Sequence, residues 1–248
     1  MIALGSDEAH LWYLVPSDVT SELSDRYRAL LSDEEAAREA RYVFEPSRME
    51  HRLTRGLART VLARYTGVVA LALRFVEDSH GRPALDPRTD LSFNLSNTEG
   101  LIACAVARGR QIGVDVECTD RPAPTLDIAE HYFSKVEIAE LRALPSEQQL
   151  DRFFDYWTLK EAYIKARGLG LSIPLDRFSF LLGRPGAGPV QIEIDPSLGD
   201  DAAGWWFTQL SLSPRHKTAL GASIRAGETL RLKVERTVPD WDDHAHRL

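Results

Sequence analysis

Two stretches of this chain spell nearly the same β-hairpin, and that repetition limits the folds open to it. Leu95-Ser96, the run Leu101–Arg108, Gly109 and residues 112–117 are answered by Leu212-Ser213, residues 218–225, Gly227 and residues 230–235. Ala226 is an extra residue in the second copy, and both copies close on Val-Glu, as Val116-Glu117 and Val234-Glu235. Short hairpins also resemble one another by chance, so the echo alone leaves duplication and coincidence both open. Read as a duplication, it predicts two similarly built halves, each with its own sheet. Lys233 then stands where Asp115 stands in the first copy, so only one half can carry an acidic site.

The segments around the hairpins carry local signals. Residues 11–15 read as a strand closed by Pro16. Ser32 with Glu35 three residues on predicts a capping box and a helix running to Phe44. Pro46 and Gly67 bracket a second helix over 47–65, with Leu53, Leu57, Val61 and Leu62 at core-facing spacing. Residues 71–76, 93–96, 101–107 and 112–117 read as strands, 79–83 as a turn, and Arg108-Gly109-Arg110 as a tight connection pairing the last two strands. After a linker-like Arg121-Pro122-Ala123-Pro124 come helices over 126–133, 135–144 and 147–167, the last ended by Gly168 and Gly170. Strands follow over 178–182, 190–194, 205–212, 219–224 and 230–238, then a polar, frayed tail over 240–248. Trp205-Trp206-Phe207 reads as strand core or a sheet edge, Cys104 as buried, and Trp157 as a packing anchor.

Charge and apolar runs remove whole classes of function. Thirty Lys+Arg against 37 Asp+Glu leave a net charge of −7, against a general nucleic-acid coat. The apolar runs around 68–73 and 101–107 are far too short to span a bilayer, and the acidic start Met1 to Glu8 lacks signal-peptide order, so no membrane partner is expected. Two cysteines, Cys104 and Cys118, suit a reducing, cytoplasmic setting.

Asp115 and Glu117, two apart on a strand, project from one face, and Glu161 and Lys165, four apart on a helix, share another. Three carboxylates brought together repel unless a divalent cation sits among them, and hard oxygen ligands favour Mg²⁺. Each pair alone is also what a solvated strand end or a surface salt bridge looks like. Arg38, Arg41, Arg48, Arg52, Arg55, Arg59 and Arg64 crowd the two N-terminal helices, either as a solvated face or as an anion-holding patch.

The motifs decide among these readings. Gly113-Val114-Asp115-Val116-Glu117 is followed by Phe133-Ser134-Lys135-Val136-Glu137, then by Trp157-Thr158-Leu159-Lys160-Glu161-Ala162-Tyr163-Ile164-Lys165. This succession closely resembles the 4′-phosphopantetheinyl transferases of the Sfp type, in order and separation as well as in letters. His80-Gly81-Arg82-Pro83 is similar to the family's Gly-Lys-Pro loop, and Phe93-Asn94-Leu95-Ser96-Asn97 to its Phe-Asn-x-Ser-His element. The resemblance spans roughly residues 32–180. It implies an α+β fold of two pseudo-symmetric α/β subdomains in one chain with the site between them. The halves are expected over 1–110, with the coenzyme A phosphate contacts, and 111–248, with the metal site and catalytic helix.

The implied reaction moves the 4′-phosphopantetheine arm of coenzyme A to a serine of an acyl or peptidyl carrier protein, releasing 3′,5′-ADP. Carried over by matching position, Asp115, Glu117 and Glu161 would hold Mg²⁺, with Asp115 also facing coenzyme A. Glu161 would serve as base and Lys165 would steady the leaving phosphate, while Arg38, Arg82, Ser96 and Asn97 would touch coenzyme A phosphates. Arg41 is a further candidate for phosphate, and the other arginines are expected at the surface. Asn97 replaces the family's usual His and Arg82 its usual Lys. Arginine keeps the charge and can grip phosphate with two N–H groups, whereas asparagine keeps only hydrogen bonding. Another Mg²⁺-dependent phosphoryl transferase or hydrolase could use the same groups. A non-catalytic binder on this scaffold would be expected to have lost one of them. The length suits the branch that acts as a monomer on polyketide, peptide or fatty-acid synthases.

Overall fold

The computed structural model describes residues 1–120, 125–183 and 190–238. The linker expected at 121–124 and the tail expected at 240–248 lie outside them. In chain order the elements are β1 (Glu8–Leu14), α1 (Ser21–Arg28), α2 (Asp33–Arg41), α3 (Glu45–Thr66), β2 (Arg74–Glu77), β3 (Pro83–Asp86), β4 (Leu91–Thr98), β5 (Leu101–Arg108) and β6 (Ile112–Cys118). They continue with α4 (Thr125–Tyr132), α5 (Lys135–Ala143), α6 (Ser146–Arg167), β7 (Phe178–Leu181), β8 (Gln191–Ile194), β9 (Trp205–Ser213), β10 (His216–Ser223) and β11 (Arg231–Arg236).

Local chemistry sets most of these boundaries. Ser32 accepts from the Glu35 N–H and the Glu35 carboxylate reaches back to the Ser32 N–H, the capping box expected at the start of α2. Ser134 and Glu137 build a second one at the start of α5. Each such cap contributes about 1 kcal/mol. Helices α3 and α6 both end where a glycine turns left-handed, Gly67 at φ 71° and Gly168 at φ 69°. Helix α2 stops at Arg41, short of the expected Phe44. Pro46 sits in the first turn of α3, where its missing N–H costs nothing, so α3 starts at Glu45. Helix α1 has no apolar period to announce it; Thr20 caps it and Tyr27 buries against α3.

The chain divides into two compact units, Met1–Gly109 with Leu232–Leu248, and Arg110–Arg231. The first holds the sheet β11-β1-β5-β4 and the hairpin β2-β3; the second holds the sheet β6-β10-β9 and the hairpin β7-β8. This corrects two expectations. Strands β5 and β6 are not paired through Arg108-Gly109-Arg110, because β5 lies between β1 and β4 while β6 pairs with β10. The segment from Leu232 leaves the second unit, because β11 pairs beside β1. Both hairpins of the sequence echo therefore do the same thing. The strand after β4–β5 joins the sheet of β9–β10, and the strand after β9–β10 joins the sheet of β4–β5.

In the first unit, α3 covers the sheet with Leu53, Leu57, Val61 and Leu62, buried among Trp12, Phe93, Ile102 and Val106. In the second, α6 lies on β6 and β10 and is buried along most of its length. Trp205 and Phe207 pack there with Tyr163, Phe178 and Phe180, so the tryptophan-rich strand is core. Among the described residues no helix is long and apolar enough to cross a membrane.

Candidate active site

Strand β6 carries Asp115 opposite Ala219 and Glu117 opposite Lys217, both side chains leaving one face of the sheet. Helix α6 crosses that face at backbone contact. A Cβ built on Gly113 would lie 2.1 Å from the Ala162 carbonyl oxygen and 2.5 Å from the Ala166 nitrogen, so only glycine fits there. That approach sets Glu161 and Lys165 against the strand. The Lys165 Nζ donates to Asp115 Oδ1 at 2.7 Å and to the Val114 carbonyl at 3.3 Å.

Glu161 feels the whole cluster. Burial pushes its carboxyl up to about 7, Asp115 and Glu117 push the same way, and Lys165 pulls back. Such a carboxyl is half ionised near neutral pH, and a nearby cation favours its charged form. Glu117 is held from the side, its Oε1 accepting from Trp157 Nε1 at 3.1 Å. Trp157 is fixed in turn by stacking on Phe153, with centroids 5.8 Å apart. It is the packing anchor expected and a hydrogen-bond donor as well, a role that nothing in its spacing signals.

Three carboxylates are a hard-oxygen donor set of the kind that takes Mg²⁺. Among the described residues no group of three His, Cys, Asp or Glu side chains is gathered as a metal cage. Two of the three carboxylates have partners of their own: Lys165 pairs with Asp115, and Trp157 donates to Glu117. The donor chemistry fits the ion, and the burial and neighbouring charge that raise Glu161 are what a bound cation would offset.

The motif residues left without a role in the sequence analysis form the support beneath. The Lys160 ammonium is fully buried and meets three acceptors, Glu137 Oε2 at 2.7 Å and the carbonyls of Leu175 at 2.7 Å and Phe178 at 2.8 Å. Three donors meeting three acceptors is what makes an interior lysine tolerable. Glu137 also accepts from the Phe180 N–H at 2.9 Å, so α5, α6 and β7 are tied through one pair. A signal was available: Lys160 falls on the face of Phe153, Tyr156 and Tyr163, where an apolar side chain is the rule.

In the first unit the expected phosphate contacts are placed differently. Arg38 is exposed on α2, Arg82 is half-buried beside the β2–β3 turn, Ser96 is buried in β4, and Asn97 is exposed at its end. Ser96 and Asn97 are strand neighbours, so their side chains leave opposite faces. The Asn97 amide donates to Glu50 Oε1 on α3. Two other arginines depart from the surface placement expected. Arg52 is buried against Glu39, and Arg59 is buried against Glu35 at 2.8 Å, fastening α2 to α3. Their long side chains meet carboxylates presented by the facing helix, which offsets part of the cost of burying them. A cavity of about 510 Å³ opens in this unit between Tyr65, Leu73, Leu85, Leu91 and Arg108, and none of the candidate residues lines it.

Comparison with known proteins agrees with the motifs. The profile of the 4′-phosphopantetheinyl transferase superfamily matches residues 111–220. The 4′-phosphopantetheinyl transferase HetI of Nostoc sp. is 41% identical over 175 residues, covering 69% of this chain and 73% of its own. The 4′-phosphopantetheinyl transferase Sfp of Bacillus subtilis is 30% identical over 205 residues, covering 83% of this chain and 88% of its own. A solved holo-(acyl-carrier-protein) synthase from Bacillus anthracis overlaps 46% of this chain and 94% of its own, at 18% identity and a TM-score of 0.38. The carboxylates on β6, the Lys-bearing face of α6 and two relatives matched over most of their length lead to one statement: this chain belongs to the Sfp-type 4′-phosphopantetheinyl transferases and is an enzyme of that family.

Proposed function

We propose that the chain transfers the 4′-phosphopantetheine arm of coenzyme A to a serine hydroxyl of an acyl or peptidyl carrier protein, with Mg²⁺, releasing 3′,5′-ADP. The observation that carries this reading is the meeting of Lys165 with Asp115 at 2.7 Å beside a Glu161 carboxyl raised to about 7. Asp115, Glu117 and Glu161 would hold the Mg²⁺, whose charge when bound offsets that of the pyrophosphate oxygens.

Glu161 takes the serine proton, directly or through a water, as the serine oxygen bonds to the phosphorus bearing pantetheine. The bond from that phosphorus to the bridging oxygen breaks, and its electron pair leaves on 3′,5′-ADP. Lys165 meets the charge that develops there. Arg38, Arg82, Ser96 and Asn97 bind the donor's phosphates in this reading. Tyr132 and Val136, both about half exposed, give the carrier an apolar surface, and Tyr132 rests edge-on against Trp157. We further take the chain to act as a cytoplasmic monomer on carriers of polyketide, peptide or fatty-acid synthases, since one chain holds both units.

The test is direct. An apo carrier protein, coenzyme A, Mg²⁺ and the enzyme should yield the phosphopantetheine mass increment on the carrier serine, and a panel of carriers showing none would end the proposal. Glu161→Gln should lower transfer by about a thousandfold, combining loss of a base and of a ligand, with the melting temperature held or raised. A variant near the wild-type rate would remove Glu161 from both roles.

A further inference from the structure

Lys217 stands directly across from Glu117 in the β6–β10 pair, and residues facing each other in an antiparallel ladder put their side chains on one face. Their Cβ atoms are about 5 Å apart in such a pair, so a lysine stem is long enough to carry its ammonium to that carboxylate. In the structure α6 takes up the ammonium. Its Nζ lies 2.7 Å from Asp151 Oδ2 and 2.9 Å from Asp155 Oδ1. Asp151 and Asp155 are one helical turn apart and so reach the same side of α6. Asp151 is exposed, whereas Asp155 is partly buried and held by its surroundings. Gln209 Nε2 on β9 donates to the Asp155 carbonyl at 3.1 Å and to its Oδ1 at 3.4 Å, and Arg152 Nε lies 3.8 Å from its Oδ2.

Two carboxylates exceed what one ammonium needs for balance, and both draw it to the α6 side. The consequence falls on Glu117. An ammonium paired there would have to be displaced before the carboxylate could take a divalent ion, and its charge would repel that ion. Lys165 already pairs with Asp115, so a second lysine on Glu117 would cancel a second of the negative charges that draw the ion in. The inference rests on the proposed activity in one respect, that Glu117 is a metal ligand. We infer that Asp151 and Asp155 are positioning residues for the metal centre, which hold the Lys217 ammonium on α6 and leave Glu117 to the divalent ion.

Mn²⁺ accepts the same hard oxygen ligands, and its free form is counted by electron paramagnetic resonance. Affinity is therefore measured on the full chain without coenzyme A, carrier or turnover. Glu117→Gln should weaken Mn²⁺ binding, which locates the probe at the carboxylate cluster. Asp151→Asn combined with Asp155→Asn should weaken it by about tenfold, the scale of one unit charge moved beside a ligand. Adding Lys217→Met to that pair should return the affinity to within about threefold of the wild type's, and Lys217→Met alone should shift it by less than about threefold. Charges acting only at long range would add, and Lys217→Met would then tighten binding equally in both backgrounds. The Mg²⁺ concentration giving half-maximal transfer should follow the same order.

Mn²⁺ binding as tight as the wild type's in the double aspartate variant overturns the inference. So does a loss that Lys217→Met fails to restore, or an equal effect of Lys217→Met in both backgrounds. Should the double variant melt below the assay temperature, Asp155→Asn alone carries the same cycle and is judged by the same outcomes. Binding unmoved by Glu117→Gln overturns the metal assignment itself, and the inference falls with it. A cycle that behaves as expected while no carrier is modified upholds the inference and ends the transfer proposal alone.

Discussion

At the scale of single residues, the site depends on groups that do not themselves carry chemistry. Trp157 aims Glu117 by one N–H, and its ring is held independently by Phe153 and Phe133. Replacing it with phenylalanine should keep the stack and lose the donor. The expected result for Trp157→Phe is a Mg²⁺ requirement raised by roughly tenfold or more, as for other groups that orient a metal ligand, with little change in melting temperature. A Mg²⁺ titration superimposable on the wild type's would show that the hydrogen bond does not matter. Lys160 illustrates what motif matching alone misses. It sits in the signature next to Glu161, yet it is wholly buried and serves the packing of α6 through Glu137.

At the scale of elements, the site exists because β6 and α6 touch at their backbones. Gly113 is the point of contact, and a methyl group there must push α6 outward, since the neighbours it would meet are main-chain atoms that cannot rotate away. Overpacking of this kind costs about 1–3 kcal/mol. Gly113→Ala should therefore lower the melting temperature by several degrees, about 2–4 °C per kcal/mol for a chain of this size. It should also reduce kcat well below the melting range, because Glu161 and Lys165 move with the helix away from Asp115. An unchanged kcat with a lowered melting temperature would mean that the close approach serves stability alone.

The long helices α3 and α6 were legible in the sequence, since terminal glycines and apolar spacing are local. Strand partners were not. The run Arg108-Gly109-Arg110 has the composition of a tight turn, but β5 already had partners on both edges, β1 and β4. Strand β6 found β10, about a hundred residues further along the chain, as a local pattern cannot indicate.

For the whole molecule, the loss of stability on acidification should begin in the first unit. His10 lies buried in β1, its Nδ1 2.6 Å from the Tyr65 hydroxyl, which also accepts from Trp12 Nε1 at 2.7 Å. Burial lowers the pKa of His10 below its ordinary 6.5, with Glu8 opposing. Burial likewise lowers His51, with the Glu35 carbonyl opposing and Arg55 and Arg38 adding to the effect. A histidine depressed on folding binds its proton more readily in the unfolded chain. Its contribution to stability is therefore complete above about pH 6.5 and is lost as the pH falls below it. Glu39 adds a later step. Burial would raise its pKa, but the hydrogen bonds from Arg52 and Arg28 prevail and lower it, so its contribution is lost only below its ordinary 4.5. The Glu161 carboxyl, raised to about 7, opposes this by gaining stability as it takes up its proton, so the melts belong in Glu161→Gln: between pH 8 and pH 5 its stability should fall from about pH 6.5 downward, and adding His10→Gln with His51→Gln should flatten that slope. A melting temperature of Glu161→Gln that rises on acidification would contradict this reading.

By itself, the sequence determined the helices other than α1, the cap at Ser32, the shared face of Asp115 and Glu117, the pairing of Glu161 with Lys165 on one helical turn, and the family. Each of these depends on residues a few positions apart, whose geometry the backbone periods dictate. Only the tertiary structure decided that Lys160 lies inside with Glu137, that Arg52 and Arg59 turn inward to carboxylates, that the strand after each hairpin crosses to the other sheet, and that Glu50 sits on Asn97. Those outcomes are choices of partner across tens of residues. They follow from which buried charges and open strand edges the packed elements bring together, and no local spacing records them.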